Sequence, residues 1–330
     1  MASQYAQVHK FPAGPGDARP TGSQIVENEG LEGKWQDKVI LITGCSSGLG
    51  VETARVMART GATLYLTARD LEKAKAALGE LAQSDCVHLL QLNLDSLASV
   101  RACAAEFASK GSKLNVLIEN AGVMMTPEGR TADGFETQFG ANHLGHFLLF
   151  QLLKPNLLAS ATPEFNSRVI ILSSIAHRSA EVDFENLDSK GDYNPWMAYG
   201  QSKTANVWTA NQIERLYGDQ GLHAFSVQPG PTGTGLYKHL SEADMAASAS
   251  DATLGKIFKT VEQGAATSVW GATAAALEGQ GGKYLEDCQI SKKWESEAGQ
   301  WAPGHASWAY HADKEAKLWD KSLELVGYKE

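Results

Sequence analysis

Six short runs of β-branched and aliphatic residues punctuate this chain: Val39–Thr43, Thr63–Thr67, Val87–Leu92, Val116–Ile118, Arg168–Leu172 and Ala224–Val227. A seventh, weaker run is Lys283–Leu285, and longer stretches with helical spacing of apolar residues fill the intervals. Strands that alternate with helices form βαβ units, because parallel neighbours need a crossover long enough to hold a helix. Runs that are apolar along their whole length imply strands covered on both faces. The pattern predicts an α/β fold: one doubly wound parallel sheet of about seven strands with helices on both faces.

The flanks do not follow this alternation. Residues 1–36 form an N-terminal arm in our reading. Phe11–Gly22 carries three prolines and three glycines and is expected to be irregular, and Gln24–Gly33 could form a short helix ending at Gly30 or Gly33. Disorder is the alternative for this arm. Residues 37–290 are assigned to the main domain and residues 291–330 to a C-terminal extension. The extension holds Trp294, Trp301, Trp308 and Trp319, and Asp313–Val326 has the spacing of an amphipathic helix, with Trp319, Leu323 and Val326 on one side. It reads as packing on the domain, or also as a wall of a substrate pocket.

With 43% hydrophobic and 20% charged residues the composition is that of a globular protein, and a formal net charge of -9 without a basic run argues against nucleic acid or an anionic membrane as partner. No stretch approaches the roughly 20 apolar residues of a membrane span. The longest candidate, Thr267–Leu277, is short and reads as a buried helix. The N-terminal residues lack an apolar signal core, and Cys45, Cys86, Cys103 and Cys288 show neither C-x-x-C pairing nor metal-ligand spacing. Together these predict a cytoplasmic protein with reduced thiols.

The first strand runs into Thr43-Gly44-Cys45-Ser46-Ser47-Gly48-Leu49-Gly50, and a helical pattern, Val51–Arg59, follows. Glycines let a backbone approach a pyrophosphate, and a helix N-terminus offers free N–H groups and a positive dipole end. This is the opening of a Rossmann-type dinucleotide site, although the spacing is G-x-x-x-G-x-G and an ordinary tight βα loop is the bland alternative. The second strand ends Thr67-Ala68-Arg69-Asp70. The Arg69 guanidinium suits a ribose 2′-phosphate, hence NADP(H). Asp70 reads as the N-cap of a helix beginning near Leu71; the competing reading has it bind the 2′-hydroxyl of NAD.

Tyr199 and Lys203 stand four apart, on one face of a helix. A phenol titrates near ~10, and a neighbouring ammonium favours the phenolate, which would fit it for acid/base work. Ser173-Ser174 end a strand about 25 residues earlier. Neighbouring strand residues point to opposite faces, so one of the two hydroxyls meets the ligand crevice.

Three further clusters, Glu119-Asn120-Ala121-Gly122, Ala141-Asn142-His143-Leu144-Gly145-His146-Phe147 and Gln228-Pro229-Gly230 with Thr232 and Thr234, complete five motifs in order. In these the chain resembles the short-chain dehydrogenase/reductase family over about Lys38–Leu285, and its motif wording is most similar to the retinol dehydrogenase, WW-domain oxidoreductase and carbonyl reductase branches. The resemblance implies a single Rossmann-type domain and an oxidoreductase that moves hydride between NADP(H) and a carbonyl or alcohol. It implies Tyr199 as acid/base, Lys203 as its electrostatic partner and ribose ligand, Ser174 as hydrogen-bond donor to the reacting oxygen, and Asn142 as holder of a proton-relaying water. It further implies cofactor contacts from Gly44, Ser46, Ser47, Gly48, Leu49, Gly50, Arg69, Asn93, Leu94, Asn120, Ala121, Gly122, Pro229, Gly230, Thr232 and Thr234. The family is often dimeric or tetrameric, which allows a homo-oligomer.

Three departures from the family pattern stand out. Glu119 replaces a second asparagine, Asn93 replaces an aspartate near the adenine, and Cys45, Ser46 and Ser47 fill the turn where many NADP(H) members carry a basic residue. No metal is expected at His143 and His146, which lack a third ligand. An NAD-dependent alcohol dehydrogenase is the alternative enzyme, and a catalytically silent dinucleotide-binding scaffold is the alternative class. The complete set Asn142, Ser174, Tyr199 and Lys203 speaks against the scaffold.

Overall fold

The computed structural model describes residues 4–111 and 113–329. The seven apolar runs form β1 (Val39–Thr43), β2 (Thr63–Ala68), β3 (Val87–Gln91), β4 (Val116–Glu119), β5 (Ser167–Leu172), β6 (Leu222–Gln228) and β7 (Lys283–Glu286). They pair in parallel in the order β3-β2-β1-β4-β5-β6-β7. An eighth strand, β8 (Gln289–Ile290), returns antiparallel on β7 and was not expected from the sequence. The two residues between these strands, Asp287 and Cys288, both have φ of 52°, the left-handed backbone a two-residue hairpin requires.

Strand order reverses between β1 and β4, which opens a crevice at the carboxyl ends of the strands. Both faces are apolar because successive residues alternate sides. Ile40, Ile42, Val116, Ile118, Ile170 and Leu172 enter one core and Leu41, Leu117, Val169 and Ile171 the other.

On the first face lie α1 (Gly22–Asn28), which belongs to the arm, α2 (Gly48–Ala58) and α3 (Leu71–Leu78). On the second lie α4 (Leu97–Lys110), α5 (Thr137–Phe139) and α6 (Gly145–Ser160), the last two joined by a π-helical turn at Gly140–Leu144, and then α7 (Pro195–Tyr217). After β6 the chain forms a 3₁₀ turn (Gly235–His239), α8 (Glu242–Ser250) and α9 (Ala252–Ile257) before α10 (Val261–Thr273) returns to the first face. The closing helix is α11 (Ala312–Val326).

Helix α6 is apolar all round because it is covered from both sides. The sheet lies beneath it, and Trp319 of α11 meets Phe147 and Phe150 at ring separations of 5.0 and 6.0 Å. The arm is docked: Ile25 and Val26 are fully buried, and a Cβ on Gly22 would sit 3.2 Å from Val56 and 3.3 Å from Val269. Its helix ends at Asn28, earlier than the Gln24–Gly33 expectation, although Gly30 and Gly33 both take positive φ. All four cysteines are free thiols. Among the described residues no helix is long and apolar enough to cross a membrane.

Candidate active site

The glycine turn between β1 and α2 is built for close approach. Gly44 (φ 79°) lies so near the next loop that a Cβ would stand 2.8 Å from the Ala121 backbone, and one on Gly50 would stand 2.3 Å from the Gly44 carbonyl oxygen. Ser47 is the N-cap residue of α2 but makes no side-chain cap, which leaves the first turn's amides for another acceptor. Thr43 and Asn120 knit the floor: Asn120 Nδ2 donates to the Thr43 carbonyl (2.8 Å), and the Ala121 amide donates to Thr43 Oγ1 (2.9 Å). An uncapped helix end above a glycine cradle fits a pyrophosphate.

At the end of β2, Arg69 points into solvent with 71% of its side chain exposed and Asp95 at 3.9 Å. Asp70 is the N-cap of α3, its carboxylate accepting from the Lys73 amide at 3.0 Å. Asn93 Oδ1 accepts from the Asp95 amide (3.3 Å) within its own turn, and the Leu94 backbone lies against Gly145, where a Cβ would meet the Leu94 oxygen at 2.8 Å.

The catalytic candidates converge at the carboxyl ends of β4 and β5. Asn194 caps α7 and Pro195 opens it, which presents Tyr199 and Lys203 one turn apart, both buried. The Ser174 side chain stands beside Tyr199 and accepts from the Ala176 amide at 3.1 Å. Ser173 faces away and donates to the Lys203 carbonyl at 2.8 Å. Lys203 Nζ lies 5.6 Å from the Tyr199 ring centre and donates to the Leu172 carbonyl (3.0 Å), which engages one of its three donors.

Among the chain's own groups burial pushes Tyr199 above its ordinary value, the neighbouring Ser174 side chain opposing, and burial pulls Lys203 down to about 7. Apolar side chains surround the phenol: Met124, Met125 and Ala176, with Leu236, Tyr237 and Leu240 from the segment after β6. Met125 holds a φ of 55°, unusual for a side-chain-bearing residue, and its amide donates to Gln138 Oε1 at 2.9 Å.

Asn142 sits in the π-helical turn, a feature common at functional sites. Its amide oxygen accepts from the Val123 backbone N–H (2.8 Å), and its amide nitrogen donates to the Val123 carbonyl (2.9 Å) and to Ser202 Oγ (3.0 Å). The side chain thus clamps the loop after β4. A Cβ on Gly122 of that loop would lie 3.2 Å from Asn142 Oδ1 and 3.6 Å from Lys203 Nζ. His146 bridges Thr43 Oγ1 (2.9 Å) and the Asn142 carbonyl (3.1 Å), whereas His143 turns toward Ser322 of α11 (2.8 Å), so the two rings serve different partners.

Glu119 is fully buried, and burial raises its carboxyl well above the usual range, so the neutral acid stands in the sheet where the family has an amide. Its strand pairs normally with β5 despite the substitution, although Oε1 finds no hydrogen-bond partner.

Beyond β6, Gly230 takes a φ of 93° over Lys259, Thr232 Oγ1 donates to the Gly230 carbonyl (3.2 Å), and a Cβ on Gly48 would stand 3.2 Å from the Thr234 side chain. Sequence reasoning missed Lys259. Its buried ammonium donates to the Pro229 carbonyl and to Asp287, each at 2.9 Å, and so pins this loop. It missed Arg19 of the arm, which donates to the carbonyls of Lys256, Ile257 and Phe258 at the end of α9. It also missed Trp301 of the extension, whose indole N–H donates to Asp251, the N-cap of α9, at 2.7 Å. No spacing rule links such distant partners.

Comparison with known proteins agrees with this architecture. The short chain dehydrogenase family model matches residues 38–245. The short-chain dehydrogenase/reductase prx1 of Penicillium roqueforti is 45% identical over 99% of this chain and 96% of its own length. Retinol dehydrogenase 12 of Homo sapiens is 37% identical over 88% of this chain and 86% of its own. Among solved structures, an uncharacterised protein from Mycobacterium Paratuberculosis superposes with a TM-score of 0.66 at 30% identity, covering 100% of this chain and 99% of that one. With a parallel sheet reversing at β1 and β4, a glycine turn on α2 and a serine, tyrosine and lysine gathered at the strand ends, the chain belongs to the short-chain dehydrogenase/reductase family of oxidoreductases, which bind a nicotinamide dinucleotide.

Proposed function

We propose that the protein is an NADP(H)-dependent oxidoreductase that interconverts an apolar carbonyl compound and its alcohol. The observation that carries this reading is the placement of the Ser174 side chain beside Tyr199 inside an apolar enclosure, with Lys203 one turn further along α7. The dinucleotide supplies or accepts the hydride. In the reductive direction Ser174 and Tyr199 hold the carbonyl oxygen, and the Tyr199 hydroxyl gives it a proton as the carbon is reduced. Lys203 stabilises the phenolate left behind, and in oxidation the same proton returns to Tyr199. The Asn142 clamp on Val123 keeps the loop after β4 clear of the crevice.

Two observations favour a 2′-phosphate. Arg69 is exposed at the end of β2, where the adenosine ribose falls, and the Asp70 carboxylate is engaged as a helix cap. The apolar ring around Tyr199 favours an apolar substrate, as do two relatives at 37% identity, named polyprenol dehydrogenase and retinol dehydrogenase 12, whose named alcohols are long and apolar.

The test is loss of NADPH absorbance with a panel of apolar aldehydes, ketones and quinones, run beside Tyr199→Phe. Turnover is expected to fall about 10²–10⁴-fold in the variant while NADPH binding holds. Turnover within a few-fold of wild type would remove Tyr199 from the acid/base role.

A further inference from the structure

Ser174 lies one residue beyond the last hydrogen bond between β5 and β6, so the ladder does not fix it: Leu172 pairs with Val227, and the Ser173 amide makes the final bond, to the Val227 carbonyl at 2.8 Å. What holds it is His177. The Ser174 carbonyl receives two bonds from this one residue, from the backbone amide at 3.0 Å and from ring Nδ1 at 2.6 Å.

The opposite ring nitrogen, Nε2, accepts from the backbone N–H of Ala306 in the C-terminal extension at 2.9 Å. An amide can only donate, so Nε2 carries no proton and Nδ1 does. The His177 carbonyl in turn accepts from Trp308 Nε1 (3.1 Å) and from Thr204 Oγ1 (2.9 Å), the neighbour of Lys203 on α7. Arg178 next door donates to the carbonyls of Gln300 and Ala302 and covers the Trp294 ring at 4.6 Å. The ring of His177 is fully buried against Tyr284 (4.6 Å), and burial lowers it to about 3, so it stays neutral.

We infer that His177 is a positioning residue for the Ser174 hydroxyl and that the extension, through Ala306, fixes the ring that does the positioning. The inference rests on the proposed role of Ser174. Ser174 Oγ already accepts from the Ala176 amide at 3.1 Å, so its remaining freedom toward Tyr199 depends on where the 174–177 turn sits. That turn is held by the extension through Ala306 and Trp308, by Thr204 of α7, and by the packing of the His177 ring on Tyr284 of β7.

Two variants separate the two ends of the ring. In His177→Asn the amide nitrogen falls near the place of Nδ1 and can keep the Ser174 bond while the Ala306 bond is lost. In His177→Gln the amide oxygen falls near the place of Nε2 and can keep Ala306 while the Ser174 carbonyl loses its side-chain donor. With NADPH and 9,10-phenanthrenequinone as probes, His177→Gln should lose roughly ten- to a hundredfold in kcat, since small misplacements of a reacting group act on that scale. His177→Asn should retain at least several-fold more. The dissociation constant for NADPH should be the same in both.

Equal losses in the two variants, or losses that follow their melting temperatures, would reduce His177 to a packing residue and overturn the inference. A nitrogen-15 spectrum of the wild-type ring gives a check that needs no variant: Nδ1–H is expected, and an Nε2–H tautomer would also overturn it. Ser174→Ala separates this inference from the reading beneath it. If Ser174→Ala retains kcat, or wild type does not turn over the quinone, the reading of the site fails; if Ser174→Ala abolishes turnover while His177→Gln does not, the positioning role alone fails.

Discussion

The two ends of the crevice solve different problems. At the end we propose for the adenosine, Arg69 stands 71% exposed, and water already solvates its charge. At the end we propose for the nicotinamide, Tyr199 and Lys203 are buried, with the phenol pushed up and the ammonium pulled down to about 7. A solvated guanidinium adds selectivity only when a phosphate arrives to share it. A desolvated tyrosine and lysine are held in place before any ligand enters, so they need little reorganisation at the moment of proton transfer. The difference predicts that substitutions at one end act on which dinucleotide is chosen and substitutions at the other on turnover.

The largest effect should come at the buried end. Ser174→Ala removes the hydroxyl beside Tyr199, and kcat should drop about 10²–10³-fold, as for loss of one donor to a developing oxyanion. Ser173→Ala removes only a bond to the Lys203 carbonyl and should act mainly on stability. Steady-state kinetics of the pair decide this, and equal kcat losses would erase the distinction between the two hydroxyls.

At the exposed end the effect should be smaller and of another kind. A charge-assisted hydrogen bond contributes ~1.5–3 kcal/mol, roughly 10- to 150-fold in affinity. Wild type should therefore prefer NADPH over NADH in kcat/KM by at least about tenfold, and Arg69→Ala should erase most of that preference with kcat nearly kept. An unchanged ratio, or a preference for NADH, would transfer ribose recognition away from Arg69.

Lys203 sharpens the comparison through stability. Its folded value, about 7, lies below the ordinary 10.5. Below pH 7 both the folded and the unfolded chain carry the ammonium, and the folded state bears the full desolvation penalty. Between pH 7 and 10.5 only the unfolded chain binds the proton, so the penalty shrinks as pH rises and vanishes above 10.5. Lys203→Met should thus melt a few degrees higher than wild type at pH 6–7, and the gain should fade by pH 10.5. A pH-independent difference in melting scans would mean that the lysine is solvated in the folded protein.

The smallest effect concerns Asp70. As the cap of α3, Asp70→Ala should lose about 1 kcal/mol of stability in denaturant unfolding and leave the NADPH/NADH ratio alone. A shift of that ratio toward NADPH would make Asp70 a reader of the ribose after all.

All seven main strands could be read from the sequence because each is a short apolar run with a helix on either side. The eighth could not. It is two residues long, and its turn is Asp287-Cys288 instead of the Asn-Gly or Asp-Gly pair that usually marks such a hairpin. That Tyr199, Lys203 and Ser174 would be brought together was legible because i, i+4 spacing on a helix and a strand end are local patterns. Arg69 and Asp70 were legible because strand ends and helix caps are local events. Asn142 was found, but its clamp on Val123 was not, since a side chain's partner nineteen residues away leaves no local trace. Lys259, His177, Arg19 and Trp301 escaped for the same reason, with partners 28 to 239 residues distant.

The contact of Arg19 with the end of α9 has a consequence for how the protein is made. The arm leaves the ribosome well before its partners: the carbonyls that Arg19 grips come 237 to 239 residues later, and Gln263, which donates to Asp17, comes 246 residues later. At ordinary rates of synthesis the arm waits on the order of ten to fifty seconds for its docking site to exist. Closing so long a loop adds little free energy beyond that of a loop half its length, about 0.6 kcal/mol, so the delay is one of timing and not of stability. During that interval Pro12, Pro15 and Pro20, which lack backbone N–H groups, interrupt the row of donors this segment can offer to an exposed strand edge.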